Sequence, residues 1–500
     1  MTRAQRLVLL ASILGSFVAF LDALVVNVAL SAIQRNLGGG ISAQQWIVDA
    51  YLVTLGSFIL LAGSLSDLFG RKRVFTAGLL GFGATSLLAA IAPDATVLII
   101  ARGLQGMTGA LLVPSSLAMI VANFTGPEQG KAIGTWTAWT GIGFIVGPLL
   151  GGALVDFSSW RWVFALNVAP IALSLAVLAR IPAEPPRAER SHVDLPGAIL
   201  CALGLGGVIF ALIEAPTRGW RAPAIYLPLA GGAAAFAGFL VHERRAAAPM
   251  LDLELFRKRN FAMGNAATLT IYAGLSAFTF VLPVFLQQVA GYRAMYAGFA
   301  LVPVTLLMFA LSPVAGRLAG KHGPRWFMTF GPLLGAAGFL LLLRVSAQAD
   351  YFSELLPGLL VFGLGLSFTV SPLTAAILGG IDQRQAGIGS AINNAIARVA
   401  GLLAVAAVGV FVAARFATAL DDAGGTTSLG APARAFIAAA RERPLDTAVP
   451  AKLGHDGPPV KAMLEGASVD ALDAALWAMA GLLVAGGLIS AAGIRNRTRQ

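Results

Sequence analysis

Charge is scarce in this 500-residue chain. Asp, Glu, Lys and Arg make up 12% of it, about half the usual share of a soluble domain. Hydrophobic residues reach 57%, so a soluble enzyme and a disordered chain are both excluded. There is one cysteine, Cys201, which rules out an intramolecular disulfide and any Cys-rich metal site. It stands in an apolar run and reads as a small packing residue. The four histidines, His192, His242, His322 and His455, read as loop residues, and no pair has metal-ligand spacing. No metal site or cofactor is expected. No Gly-x-x-x-x-Gly-Lys-[Ser/Thr] loop is present, so ATP-driven machinery of that kind is excluded. No nucleophile–base or metal constellation gathers at one end of the apolar segments, which argues against an enzyme.

What the chain does have is apolar runs of bilayer length, about 20 residues each. Fourteen helices are predicted, near 7–30, 46–66, 74–92, 96–122, 131–154, 161–180, 195–214, 223–241, 261–289, 294–316, 326–345, 353–379, 386–414 and 471–494. This is a polytopic all-α membrane protein, with the lipid bilayer as its surroundings. The net charge of +11 then tests the count, because cytoplasmic segments carry the Lys/Arg excess. With the N-terminus inside, the inner segments hold 21 of the 35 basic residues, among them Arg71, Lys72, Arg73, Arg187, Arg190 and Arg384. Short outer segments hold six: Arg35, Arg161, Arg218, Arg221, Arg293 and Arg344. The asymmetry predicts both termini in the cytoplasm and a multi-pass protein of the cell membrane. Positive charge is thereby explained without nucleic acid. Arg3 and Arg6 precede an apolar stretch running to Leu30, longer than a signal-peptide core, so cleavage is not expected.

The halves repeat. Gly63-Ser-Leu-Ser-Asp67-Leu-Phe-Gly70-Arg71-Lys72-Arg73 is echoed by Gly316-Arg-Leu-Ala-Gly320-Lys-His-Gly323-Pro-Arg325, and Ala132-Ile133-Gly134 by Gly387-Ile388-Gly389. Such duplication is typical of transporters with the cargo site between two bundles, and it argues against a passive channel. It predicts a six-helix bundle over 1–181, a linker with two additional helices over 182–260, and a second six-helix bundle over 261–500. That last part includes a long outer loop, 415–470, and the chain is expected to be monomeric.

Ionisable groups inside apolar runs are costly and point to function. Asp22 stands about eight residues from the outer end of the first predicted helix. Arg102 is at a comparable depth in the fourth and should meet a carboxylate or line water. Asp49, placed three residues into the second predicted helix, reads either as a third ionisable site or as an interfacial residue. Gly143, Gly147 and Gly151, with Gly152, form a smooth face beside Pro148, first of all a packing surface and a bend. Asn393, Asn394 and Arg398 make a polar stripe, lining a cavity or bonding between helices. Trp136, Trp139, Phe278 and Phe285 can stack on a lipophilic or cationic ligand or simply pack.

Several of these segments resemble one family. The 63–73 loop is similar to the signature loop of the major facilitator superfamily. The resemblance implies a conformational latch in which Asp67 and Arg71 act across the bundle interface, with Gly63 and Gly70 enabling the turn and Lys72 and Arg73 beside them. Gly147-Pro148-Leu-Leu-Gly151-Gly152 resembles the Gly-Pro-x-x-Gly-Gly motif of the superfamily's antiporters. Arg102-Gly-Leu-Gln105-Gly106 resembles its Arg-x-x-Gln-Gly motif of the proton-relay region. Leu21-Asp22-Ala-Leu-Val-Val-Asn27-Val-Ala-Leu is similar to the first-helix motif of the fourteen-helix drug:proton antiporters, with Leu24 in place of Thr and Ser31 in place of Pro. The resemblance implies a major facilitator fold and export of a lipophilic small molecule such as a drug, driven by the proton gradient. It implies proton coupling through Asp22 and Arg102, with Asp49 as a further candidate and Asn27 facing the cargo. A flippase or exporter dedicated to one lipid or secondary metabolite is the alternative on the same fold.

Overall fold

The structure, a computed structural model, describes residues 1–181, 194–246, 249–379, 381, 386–423 and 429–496. Among the described residues it is helical throughout, with no strand. The helices are α1 (Arg3–Leu37), α2 (Gly40–Phe69), α3 (Arg71–Ala90), α4 (Ala95–Ala110), α5 (Leu112–Asn123), α6 (Gly126–Gly141), α7 (Gly143–Phe157), α8 (Arg161–Ala165), α9 (Val168–Leu178), α10 (Leu195–Arg218) and α11 (Pro223–Arg245). They continue as α12 (Arg259–Gln288), α13 (Ala294–Ala300), α14 (Val302–His322), α15 (Arg325–Leu341), α16 (Leu356–Gly379), α17 (Ala386–Asp422), α18 (Ala431–Ala440) and α19 (Gly457–Gly493).

Twelve helical stretches among the described residues are long and apolar enough to cross a bilayer. The predicted stretches 46–66 and 131–154 are not among the twelve. They are helical as well, in α2 and in α6–α7, and both carry residues whose side chains lie outside the described set. The predicted extra helices correspond to α10 and α11.

Proline explains several breaks, because it removes one backbone donor from the helical ladder. Pro114 cannot donate to the Ala110 carbonyl, and the chain divides at Leu111 between α4 and α5. Pro170 cannot donate to the Leu166 carbonyl, and the chain divides at Leu166–Asn167 between α8 and α9. Sequence reading gave each of these pairs as one continuous helix.

Two further expectations are corrected. The stretch 415–470, expected as a long loop with short helices at most, is largely helical among the described residues: α17 continues to Asp422, α18 lies within it, and α19 starts at Gly457, well before 471. Pro458 in the first turn suits a helix start. Val460, Leu464, Ala467 and Ala471 then bury one stripe at helical spacing. Of the histidines, His242 and His322 close α11 and α14 rather than lying in loops, as basic residues favour a helix C-terminus.

By contacts the chain forms two compact units. The first comprises residues 1–39, 46–208 and 228–251. In it α1 packs on α5, α7 and α9, while α3 packs on α4, α5, α8 and α9. Its core includes Tyr51, Phe75, Leu79, Phe82, Met119 and Ile171. The second unit comprises 40–45, 209–227 and 252–500. There α12 packs on α16, α17 and α19, and α15 lies along α16.

The sequence repeat has a counterpart in backbone geometry. Gly70, between α2 and α3, has φ 89° and ψ 133°. Gly323, between α14 and α15, has φ 88° and ψ 149°. The same left-handed turn, which favours glycine, closes the same step of each half.

Candidate functional site

The site is built from Asp22 outward. Asp22 is completely buried on α1, where a lone charge would be prohibitively costly. Arg102 of α4, 1% exposed, places Nη1 at 2.5 Å from Asp22 Oδ2. The same nitrogen donates to Gln105 Oε1 at 2.6 Å, and Arg102 Nε donates to the Ile47 carbonyl at 3.0 Å. The guanidinium carbon lies 4.3 Å from the centre of the Tyr51 ring, a cation–π contact in a water-poor setting.

The second carboxylate oxygen is also engaged. Asp22 Oδ1 accepts from Gln105 Nε2 at 3.0 Å and from Asn167 Nδ2 at 2.8 Å. Both amides also donate to Ser86 Oγ, at 2.8 Å and 3.3 Å. Every partner of Asp22 named here is a donor, which suits an ionised carboxylate accepting at both oxygens. α4 reaches this acid through Arg102 and Gln105 and the α8–α9 break through Asn167, while the Ile47 carbonyl of α2 and Ser86 of α3 hold those partners in turn.

The structure therefore joins Asp22, Arg102 and Gln105, separated in sequence, into one buried cluster. Gly106 is what lets α4 approach α2: a side chain there would overlap Thr54 Oγ1 and the Tyr51 carbonyl. Ser86, Asn167 and Tyr51 were not singled out from sequence. Asn167 did leave a signal, as the lone amide in the apolar run 161–180, three residues before a proline.

Asp49 is corrected in position. Because α2 begins at Gly40, Asp49 lies deep in the helix and is completely buried. Neither of its oxygens has a hydrogen-bond partner among the described residues.

The α7 glycines pack against the turns of α1 that flank Asp22. A side chain on Gly143 would come to 3.5 Å from the Leu21 backbone nitrogen, and one on Gly147 to 3.3 Å from Leu24 Cβ. One on Gly151 would overlap Val25 and Val28. Gly152 and Pro148 are buried in the same helix. The helix breaks at Ile142, between α6 and α7.

In the 63–73 loop, Lys72 Nζ donates to the Ile181 carbonyl at 2.5 Å. Arg73 is exposed and Arg71 half-buried. Gly63 and the Asp67 side chain lie outside the described residues, as do Arg187, Arg190 and Arg384.

The remaining candidates scatter. Asn27 is half-buried, with Oδ1 unpartnered among the described residues. Trp136 donates to Ser16 Oγ at 3.1 Å and packs with Leu9, Ile120 and Phe124, whereas Trp139 is exposed. Phe278 is buried against Phe339 and Phe362, with ring centres at 4.9 and 5.1 Å, and Phe285 is fully buried. Asn393 Nδ2 bonds between helices, to Asn265 Oδ1 and Thr268 Oγ1, while Asn394 is exposed and bonds the Ser390 carbonyl. Arg398 is half-buried on α17. Among the described residues no group of His, Cys, Asp and Glu is arranged to hold a metal.

Twelve apolar helical stretches of bilayer length among the described residues and a buried ion pair on the first helix define a many-helix membrane protein; that it is a transporter and not an enzyme follows from the family and relatives it matches. Residues 12–405 match the Major Facilitator Superfamily, and the chain belongs to that family. It is 34% identical, over 84% of its length and 78% of the relative's, to multidrug resistance protein Stp of Mycobacterium tuberculosis. It is 35% identical to puromycin resistance protein pur8 of Streptomyces alboniger, over 81% of each chain. A probable actinorhodin transporter of Streptomyces coelicolor is 34% identical, over 81% of this chain and 72% of that one. Among solved structures, an inward-facing bacterial homologue of the human lysosomal transporter Spinster superposes with a TM-score of 0.71 at 13% identity, covering all of both chains. The inward-open xylose transporter XylE of E. coli superposes at 0.59 and 15% identity, covering 98% of this chain and 96% of that one. Both show the fold alone.

Proposed function

We propose that this transporter is a proton-coupled antiporter that exports lipophilic or cationic small molecules of the drug and antibiotic class by alternating access. It does so as a monomer with fourteen spanning helices and both termini in the cytoplasm. Its two six-helix bundles, 1–181 and 261–500, are joined by the two-helix insert in 182–260. The multidrug and puromycin resistance proteins and the probable actinorhodin transporter among its relatives support the cargo class. The single observation that carries the coupling is the buried Asp22–Arg102 pair with its donor amides.

Breaking a buried ion pair by removing one partner costs roughly 3–5 kcal/mol. A proton arriving on Asp22 removes the charge of one partner without removing the residue. Arg102 then relies on the Ile47 carbonyl, Gln105 and the Tyr51 ring, a weaker set, and the side-chain link between α1 and α4 is the element whose equilibrium changes. One unit of pH difference supplies about 1.4 kcal/mol, and a charge crossing 100 mV about 2.3 kcal/mol. Coupling therefore needs only a modest difference between the two charge states. Asp49, buried with no hydrogen-bond partner among the described residues, is the second candidate to take a proton.

The test is transport in proteoliposomes with an imposed pH gradient, using ethidium as the lipophilic cation and a fluorescent phospholipid in parallel. Gradient-dependent ethidium movement that collapses with a protonophore is the expected result. Movement that ignores the gradient overturns proton coupling. Movement of the phospholipid alone overturns the drug class in favour of a lipid cargo.

A further inference from the structure

The cluster around Asp22 contains one atom its ionised form leaves idle. Asn167 donates through Nδ2 to Asp22 Oδ1 and Ser86 Oγ, while its Oδ1 is buried with no hydrogen-bond partner among the described residues. Asn167 itself is completely buried. An unmet buried acceptor calls for a physical reason, since leaving one unbonded has a real cost.

We propose that Asn167 is a positioning residue that bonds Asp22 in both of its charge states, donating through Nδ2 to the carboxylate and accepting through Oδ1 from the carboxylic acid. The inference rests on the reading of Asp22 as a proton site. The step is a simple one. A proton from water forms an O–H bond on Asp22, and the Asn167 amide turns half a revolution about its terminal torsion, giving up its Nδ2 bonds to Asp22 Oδ1 and Ser86 Oγ in exchange for the bond that Oδ1 accepts from the acid. An amide is suited to this because it carries a donor and an acceptor of nearly equal size. Ser86 is not abandoned by the turn, because Gln105 Nε2 still donates to it.

Gln105 cannot take this role. Its Oε1 already accepts from Arg102 at 2.6 Å, so turning it would aim an N–H at the guanidinium. Arg102 offers only donors. The charged and titratable groups that face Asp22 among the described residues are Arg102 of α4 and, behind it, Tyr51 of α2. Ser86 of α3 and Asn167 are neutral, and Asp49, between Ile47 and Tyr51 on α2, forms no hydrogen bond to the cluster among the described residues. Asn167 is thus the group with an acceptor to spare. Its place at the α8–α9 break, where Pro170 interrupts the ladder, lets Asp22's charge state reach that break directly.

Infrared difference spectroscopy between neutral and acidic pH, on the detergent-solubilised protein, reads this without any transport assay. In the parent, a carboxylic acid band grows on acidification at the frequency of a hydrogen-bonded acid, and a side-chain amide carbonyl band moves down as Oδ1 gains its bond. The chain has 24 Asp and Glu, so Asp22→Asn should remove one component of the acid band, together with the whole amide shift. Asn167→Leu should keep that component but move it to the frequency of a free acid, and should lose the amide shift. Labelling asparagine with carbon-13 at the side-chain carbonyl should move the same amide band in the parent, which needs no substitution and guards against misfolding. An acid band unmoved by Asn167→Leu, or an amide band insensitive to the label, overturns the role of Asn167 alone. A spectrum that Asp22→Asn leaves unchanged overturns the proton site and this inference together.

Discussion

At the scale of single residues, Asp22 and Arg102 are bound to one fate. Each is buried, and each is the other's charged partner at 2.5 Å. Replacing either alone strands the other in a medium that penalises a lone charge, so Asp22→Ala and Arg102→Ala are each expected to destabilise the protein by about 3–5 kcal/mol. Replacing both removes two charges together, and the double variant should be clearly more stable than the sum of the single losses implies. Thermal unfolding in detergent measures the cycle, and simple additivity would mean that the pair does not interact. Asp22→Asn addresses coupling instead. It keeps the size and mimics a permanently protonated acid, so accumulation of cargo against its gradient should fail while downhill movement persists. Uphill transport at the parental rate in this variant would move the proton site elsewhere, with Asp49 as the next residue to test.

At the scale of elements, the cluster depends on how closely helices approach. Gly106 lets α4 lie directly on α2, and its replacement by Ala forces a methyl group into Thr54 and the Tyr51 carbonyl. Overpacking of this kind costs about 1–3 kcal/mol and displaces Arg102 one turn away, so Gly106→Ala should lower both thermal stability and transport. Gly70→Ala should cost about 1–2 kcal/mol for a different reason, since φ 89° is unfavourable for a residue with a Cβ. Retained stability in both variants would contradict the close approach and the turn. These two glycines also mark what the sequence disclosed. Gly70 and Gly323 could be paired from the repeat, and Asp22, Arg102 and Gln105 from polarity within apolar runs. Asn167 and Ser86 could not be assigned, because a short polar side chain in an apolar run looks the same whether it bonds its own helix or a neighbour. Helix starts were hidden where polar residues are buried, as with Gln44, Gln45 and Asp49 in the first turns of α2. Hydropathy therefore placed that helix too late and left Asp49 at an apparent interface.

For the whole molecule, the distribution of Lys and Arg decides direction, because an exporter's orientation fixes which side supplies protons. Arg71, Lys72 and Arg73 form the densest early cluster, and Lys72 is tied to the carbonyl of Ile181 at the end of the first predicted bundle. In the 415–470 stretch, Arg441 pairs with Asp421 and Arg415 with Asp470. Basic residues there are balanced by acids and weigh little in the charge rule, which fits an outer segment. The natural thiol is buried Cys201, so Cys201→Ser gives a cysteine-free background at small cost. In that background Arg434→Cys, exposed on α18, should react with a membrane-impermeant maleimide on intact cells. Arg73→Cys, exposed at the start of α3, should react only after permeabilisation. The reverse pattern would invert the molecule and place the 63–73 loop on the proton-supplying side. Labelling of both sites in intact cells would mean that an even number of spans separates them, where the proposal requires an odd number, and the fourteen-span count would fall with the orientation.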